Sequence, residues 1–150
     1  MSPQSLADSL RSDLEALLPE GLQYRLLLNT ESSSFVRFNH GGIRQPGSVS
    51  QGHATIEIND GAKHFKALLS LSESREENRT RLEECIKPQL ELLPSLDPDP
   101  HFILNPQMEK IEHSGPESAD RPQDVVRSIV EGAQGLDLVG IYAAGRLSRT

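Results

Sequence analysis

The residues best suited to recognition chemistry lie in one short run, FVRFNHGGIRQ (35–45). Arg37 and Arg44 flank a His40-Gly41-Gly42 turn, with Asn39 and Gln45 beside them, in a chain of net charge −7. Folded as a hairpin, Arg37, Asn39, Arg44 and Gln45 would form a small polar surface suited to a peptide carboxylate or a partner subunit. The alternative is a pair of solvated arginines at a hairpin tip. The register decides how they meet. A His40-Gly41 loop sets Phe38 against Ile43, which sheet pairing favours, but also sets Arg37 against Arg44. A Gly41-Gly42 loop places Asn39 across from Arg44 and Phe38 across from Gln45. A longer, bulged loop would satisfy both constraints.

Catalytic groupings are harder to assemble. The five histidines are scattered: His40, His53 and His64 in separate extended segments, His101 and His113 in a Pro-rich stretch. His53 and His64, on one predicted hairpin, stand roughly 13 Å apart at strand rise, too far to share a zinc ion with bonds of about 2 Å. They read as solvent-facing histidines, and no metal site is predicted. There is no HExxH or HExxxH motif. Cys85 sits among acids (Glu83, Glu84), which oppose thiolate formation, and borders an apolar stripe, so it reads as a half-buried structural residue. Ser32–Ser34 lack a glycine elbow and read as a polar connector. Asp97-Pro98-Asp99-Pro100 breaks the ligand geometry of a calcium loop, and Gly41-Gly42 opens no helix and so makes no phosphate loop. On its residues alone, the chain is a non-catalytic domain that needs no cofactor.

The elements that must position these residues follow from periodicity. Leu6, Leu10, Leu14, Leu17 and Leu18 predict a helix over 3–18, stopped by Pro19-Glu20-Gly21. Residues 22–29 form a strand with Leu22, Tyr24, Leu26 and Leu28 on one face, separated by Thr30–Ser33 from the strand that begins the quoted run. Residues 54–58 and 65–71 alternate around Asp60-Gly61, which predicts a type I′ hairpin. That loop pairs Ile56 with Phe65, Ala54 with Ala67, and Glu57 with His64. Leu82, Ile86, Leu90 and Leu93 predict an amphipathic helix over 73–93 containing Pro88. Residues 94–120 read as an extended loop with a helical turn near 106–111. Asp120 and Gln123 have capping-box spacing ahead of a helix that buries Val125, Val126, Ile129, Val130 and Ala133 and ends at Gly135. Residues 136–145 form a strand of mostly buried composition, which would normally be paired on both sides and followed by more chain.

The totals fit one domain over 1–150, in an α+β class: a mainly antiparallel sheet of about five strands with helices packed on it. With 22 acidic against 15 basic residues, no nucleic-acid partner is expected, and no anionic membrane surface. No apolar run reaches the ~20 residues of a membrane span. A solitary cysteine excludes a disulfide framework and, with no signal-like start, makes the cytoplasm the default location.

FVRFNHGGIRQPGSVSQ resembles the N-terminal signature of the TldD/PmbA proteins, and DLVGIYAAGRLSR is similar to the strand on which that family passes into its C-terminal domain. The resemblance covers roughly 20–150, in the same element order. It implies the N-terminal domain of a two-domain bacterial or archaeal protein that forms homo- or heterodimers and serves proteolysis or peptide maturation. The family's TldD-type subunit is a zinc metallopeptidase acting on peptides and unfolded proteins, with HExxxH in the C-terminal domain; the PmbA-type partner lacks the metal. None of those ligands is in this sequence. The implied role is substrate access or subunit contact, inactive alone, with zinc, if the subunit is of the TldD type, only in the domain absent here. The alternative class is a stand-alone peptide- or anion-binding module.

Overall fold

The computed structural model describes residues 3–103, 115 and 120–150. The elements are α1 (Pro3–Glu15), β1 (Gln23–Asn39), β2 (Gly42–Asn59), β3 (His64–Leu71), α2 (Arg75–Leu92), a 3-10 turn (Leu93–Ser95), α3 (Pro122–Gly132) and β4 (Gly140–Arg149). The strands lie in the order β3-β2-β1-β4. The α+β antiparallel class holds, with four strands among the described residues in place of about five. The difference arises at Thr30–Ser33, which is no break: β1 runs unbroken from Gln23 to Asn39. The turn expected near 106–111 lies outside the described residues.

The chain divides into two compact units, the first built from 1–30, 51–106 and 147–150 and the second from 31–50 and 107–146. The first unit holds the main apolar core. Ala7, Leu10 and Leu14 of α1, Leu28 of β1, Ala54, Ile56 and Ile58 of β2, Ala67 and Leu69 of β3, and Leu82 and Ile86 of α2 are buried together. Full burial of each large aliphatic side chain is worth about 1.5–3 kcal/mol, so this cluster carries the unit. Helix α1 is shorter than the leucine spacing suggests. It ends at Glu15, and residues 16–18 continue as a tightened turn in which Leu17 N–H donates to Leu14 O at 2.9 Å. Leu17 and Leu18 still pack against the core.

The β2–β3 pairing corrects the expected register by two residues: Ile58 faces Phe65, Ile56 faces Ala67, Ala54 faces Leu69 and Glu57 faces Lys66. Because the shift is even, every side chain keeps its face. The connection is a four-residue loop, 60–63, rather than Asp60-Gly61 alone. Its cause is side-chain capping: Asn59 Oδ1 accepts from Gly61 N–H, and Asp60 Oδ1 accepts from Ala62 and Lys63 N–H at 3.0 and 2.8 Å. These bonds replace the backbone pair of a two-residue turn.

Helix α2 starts where Ser74 Oγ accepts from Glu77 N–H. Just inside it, Asn78 is buried and its amide brackets Ser72, accepting from the Ser72 N–H at 2.8 Å and donating to the Ser72 carbonyl at 2.9 Å. Arg75 binds Asp13 of α1 at 3.0 Å, and Cys85 is half-buried against the core.

In the second unit, α3 begins one residue later than the capping-box reading. Arg121 is the N-cap with no side-chain cap bond, because Pro122 at the first helical position sets φ there. Of its predicted buried stripe, Ala133 is buried, whereas Val125, Val126, Ile129 and Val130 are half-buried. The final strand is also displaced, to Gly140–Arg149, and is far more exposed than its composition implies, with Ile141 at 64%. It lies at the end of the strand order, beside β1 alone among the described residues.

Candidate functional site

In the second unit, β1 and β2 meet at a two-residue loop. Strand β1 ends at Asn39 and β2 begins at Gly42, while His40 and Gly41 hold φ of 50° and 71°. Two successive positive φ values make the type I′ turn, whose twist suits a tight hairpin. Counting outward, Phe38 pairs with Ile43 and Arg37 with Arg44. Phe38 is buried, and Arg37, Arg44 and Gln45 are exposed. The Arg37 guanidinium lies 5.6 Å over the Phe35 ring, a cation–π contact along its own strand. This draws one charge aside and lessens the repulsion that the register imposes. Neither Arg37 nor Arg44 has an ion-pair partner among the described residues. By strand alternation Asn39 shares their face, whereas Gln45 falls on the other, with Phe38 and Ile43. The turn thus gathers three of the four predicted residues on one face.

The same turn does something that the run of residue types did not announce. Gly41 N–H donates to Leu138 O at 3.1 Å, and His40 Nδ1 lies 2.7 Å from Asp137 Oδ1. A Cβ on Gly41 would lie 3.0 Å from Leu136 O and 3.3 Å from Ala133 O. The glycine therefore lets the turn sit directly on carbonyls at and just beyond the end of α3. Gly41 is already accounted for by the turn, so its residue type did not announce this contact. Similar closeness recurs at Gly145 of β4, where a Cβ would fall 2.3 Å from Ser33 Cα and 2.4 Å from Ser32 O. The serine run is the small-residue surface that admits β4.

The first unit holds a separate polar cluster, on the sheet face away from the core. His64 Nε2 lies 3.1 Å from Asp99 Oδ2, its ring stacks on Phe102 at 4.4 Å, and its Nδ1 stands 3.6 Å from Glu57 Oε1. Glu57 in turn meets Arg25 at 3.4 Å. Asp99 N–H donates to Ala62 O, and the Asp99 carboxyl is held below its ordinary pKa, first by the His101 N–H and then by His64. His64 is thus a clamp on the 99–102 segment, not the free solvent-facing histidine of the sequence reading. His53 is half-buried, and its Nδ1 has no hydrogen-bond partner among the described residues. Asp99, dismissed as a calcium ligand, is the residue that His64 holds. Nothing local could have revealed this, since 35 positions separate the two residues.

Among the described residues no group of three or more His, Cys, Asp or Glu side chains is placed to hold a metal. No described helix is long and apolar enough to cross a membrane. No family model and no curated protein matches the chain. Its fold, however, matches solved structures. The crystal structure of TldE from Thermococcus kodakarensis superposes with a TM-score of 0.58 at 12% identity, over 96% of this chain and 36% of that one. TM0727 of Thermotoga maritima, described as a proposed modulator of a DNA gyrase, superposes with a TM-score of 0.51 at 11% identity, over 99% of this chain and 37% of that one. The chain therefore spans about a third of the length of the structures it matches. At such identities the likeness is one of fold.

Proposed function

We propose that this chain is a TldD/PmbA-type N-terminal domain that assists peptide access or subunit contact and does no chemistry itself. The observation that supports the reading most is the superposition on TldE across 96% of the chain. The residues proposed to touch a peptide carboxylate or a family partner are Arg37, Asn39 and Arg44, with Gln45 at the rim. Two guanidinium groups without ion-pair partners among the described residues are suited to a carboxylate, because no such pair has to be broken to bind one. Zinc, where a subunit of this kind uses it, would be held by residues outside this chain; the described side chains offer no fitting donor set. The proposed setting is a cytoplasmic homo- or heterodimer serving proteolysis or peptide maturation.

Fluorescence anisotropy with a labelled extended peptide tests the contact. A free C-terminal carboxylate is expected to bind several-fold more tightly than the same peptide amidated, and Arg37→Ala with Arg44→Ala to abolish the difference. Equal binding of both peptides would remove these arginines from the proposal. Zinc-dependent cleavage of casein by the purified chain would overturn the non-catalytic assignment.

A further inference from the structure

Two strand edges are open among the described residues, and they differ in kind. Strand β3 pairs with β2 only over Gly52–Asn59, which leaves 42–50 of β2 unpaired on that side. That edge carries Pro46, which has no N–H to offer, and the charged Arg44. Both are devices that discourage a further strand. The outer edge of β4 has neither over 138–145. LVGIYAAG contains no proline and no charge, and Val139 and Ile141 are 70% and 64% exposed. An exposed, apolar, unprotected edge is a template for another strand.

We propose that this edge pairs with itself: a second copy of the chain docks β4 against β4 in antiparallel fashion about a two-fold axis centred on Ala143. The backbone supports this choice. Thr150 exchanges both of its backbone hydrogen bonds with Leu28 of β1, at 2.9 and 2.7 Å. Counting back along β4, even-numbered residues point their N–H and C=O groups at β1, and Ile141, Ala143 and Gly145 point theirs outward. Gly145 agrees, because its very close approach to Ser33 is that of a pair not joined by hydrogen bonds. The two-fold places Ala143 opposite its symmetry mate and sets Ile141 beside the bare Gly145 of the other copy. Every outward group on these three residues gains a partner.

Charge selects the same arrangement. Residues 138–150 hold no acid, so an identical strand in parallel register would stack Arg146 on Arg146. Antiparallel pairing sets each Arg146 against Gly140 instead. The contact involves residues 140–146 of each copy and lies at the small end of specific interfaces, below about 1,200 Å². A dissociation constant on the order of 10 μM is accordingly expected. The inference stands on the β4 edge alone and does not depend on the family reading.

Sedimentation of the 150-residue chain between 1 and 200 μM (a range on the order of that constant) is expected to show a monomer–dimer equilibrium. Ala143→Lys and Ala143→Glu each set like charges face to face at the axis and should be monomeric throughout, with unchanged circular dichroism. Mixing the two variants should restore a heterodimer, which a merely misfolded variant could not do. Ala143→Cys in a Cys85→Ser background should form a disulfide-linked dimer with oxidised glutathione, since hydrogen-bonded partners stand about 5.5 Å apart at Cα. A monomer across the whole range would overturn the proposal. So would a dimer that survives both charged variants, or a mixture that fails to pair.

Discussion

The sharpest test of the packing is Gly145→Ala set against Gly47→Ala. At both glycines a Cβ would intrude well inside van der Waals contact, but on different neighbours. At Gly145 it meets backbone, Ser33 Cα at 2.3 Å and Ser32 O at 2.4 Å; at Gly47 it meets the Phe35 ring, Cζ at 2.5 Å and Cε1 at 2.7 Å. Ordinary contacts begin near 3.4 Å, so each overlap is about 1 Å. A ring tip can rotate away. It gives up packing and the Arg37 contact, together about 1 kcal/mol, and the alanine recovers about half of that by restricting the unfolded chain. Backbone cannot rotate away. Strand β4 must separate from β1 locally, losing two or three ladder bonds at about 1 kcal/mol each, so a net cost of about 2–3 kcal/mol is expected. Urea unfolding measures the difference, and amide exchange along β4 locates it. Gly145→Ala should accelerate exchange at Tyr142 and Ala144, whose amides face β1, while Gly47→Ala leaves them protected. If the two variants lose equal stability, or Gly47→Ala loses more, the argument from flexible against rigid neighbours is wrong.

Other consequences follow from the same geometry. Gly41→Ala should cost about 2 kcal/mol, combining a positive φ with the Leu136 carbonyl at 3.0 Å, whereas Gly61→Ala, with positive φ but open space, should cost about 1 kcal/mol by thermal melting. Leu82→Ala removes a fully buried side chain and should destabilise by about 2–5 kcal/mol in denaturant titration, or leave no cooperative transition. Tyr24 donates to Glu15 Oε1 at 2.5 Å, and burial, then that bond, push its pKa up to about 12. A raised folded pKa means that its contribution is complete below the unfolded value near 10 and is lost as pH climbs through 12. In a Tyr142→Phe background, absorbance near 295 nm should therefore titrate late, and Tyr24→Phe should lose about 1 kcal/mol at neutral pH but nothing relative to wild type above the transition. His64→Ala should release the 99–102 segment, seen as faster exchange of the Asp99 amide that donates to Ala62 O. Because the Asp99 carboxyl is depressed, its contribution is present above the ordinary carboxylate range and disappears as pH falls below it, and His64→Ala should reduce that acid sensitivity.

What could be read in advance depended on how local its cause was. The alternation at Ala54, Ile56 and Ile58 and the stripe at Leu82 and Ile86 announce their burial, because each element satisfies its own period against one core. The His40-Gly41 turn was also legible as one of three loops, since only glycine-rich sequence tolerates two positive φ values. The β2–β3 loop misled because Asp60-Gly61 is a strong hairpin signal, yet Asn59 and Asp60 can cap a longer loop with their own side chains. Side-chain capping competes with the backbone turn, and composition alone does not say which wins. Thr30–Ser33 misled for a deeper reason. Serine is a poor strand former, so a run of it reads as a break. Here its smallness is the requirement, imposed by Gly145 more than a hundred residues further along the chain. The candidate site divides in the same way. Arg37 and Arg44 stand out by type and spacing, but the pairing of His40 with Asp137 and of His64 with Asp99 joins residues 97 and 35 positions apart. A residue's chemistry is local and its partner is not, so the arginines could be chosen from the sequence while the partners of His40 and His64 could not.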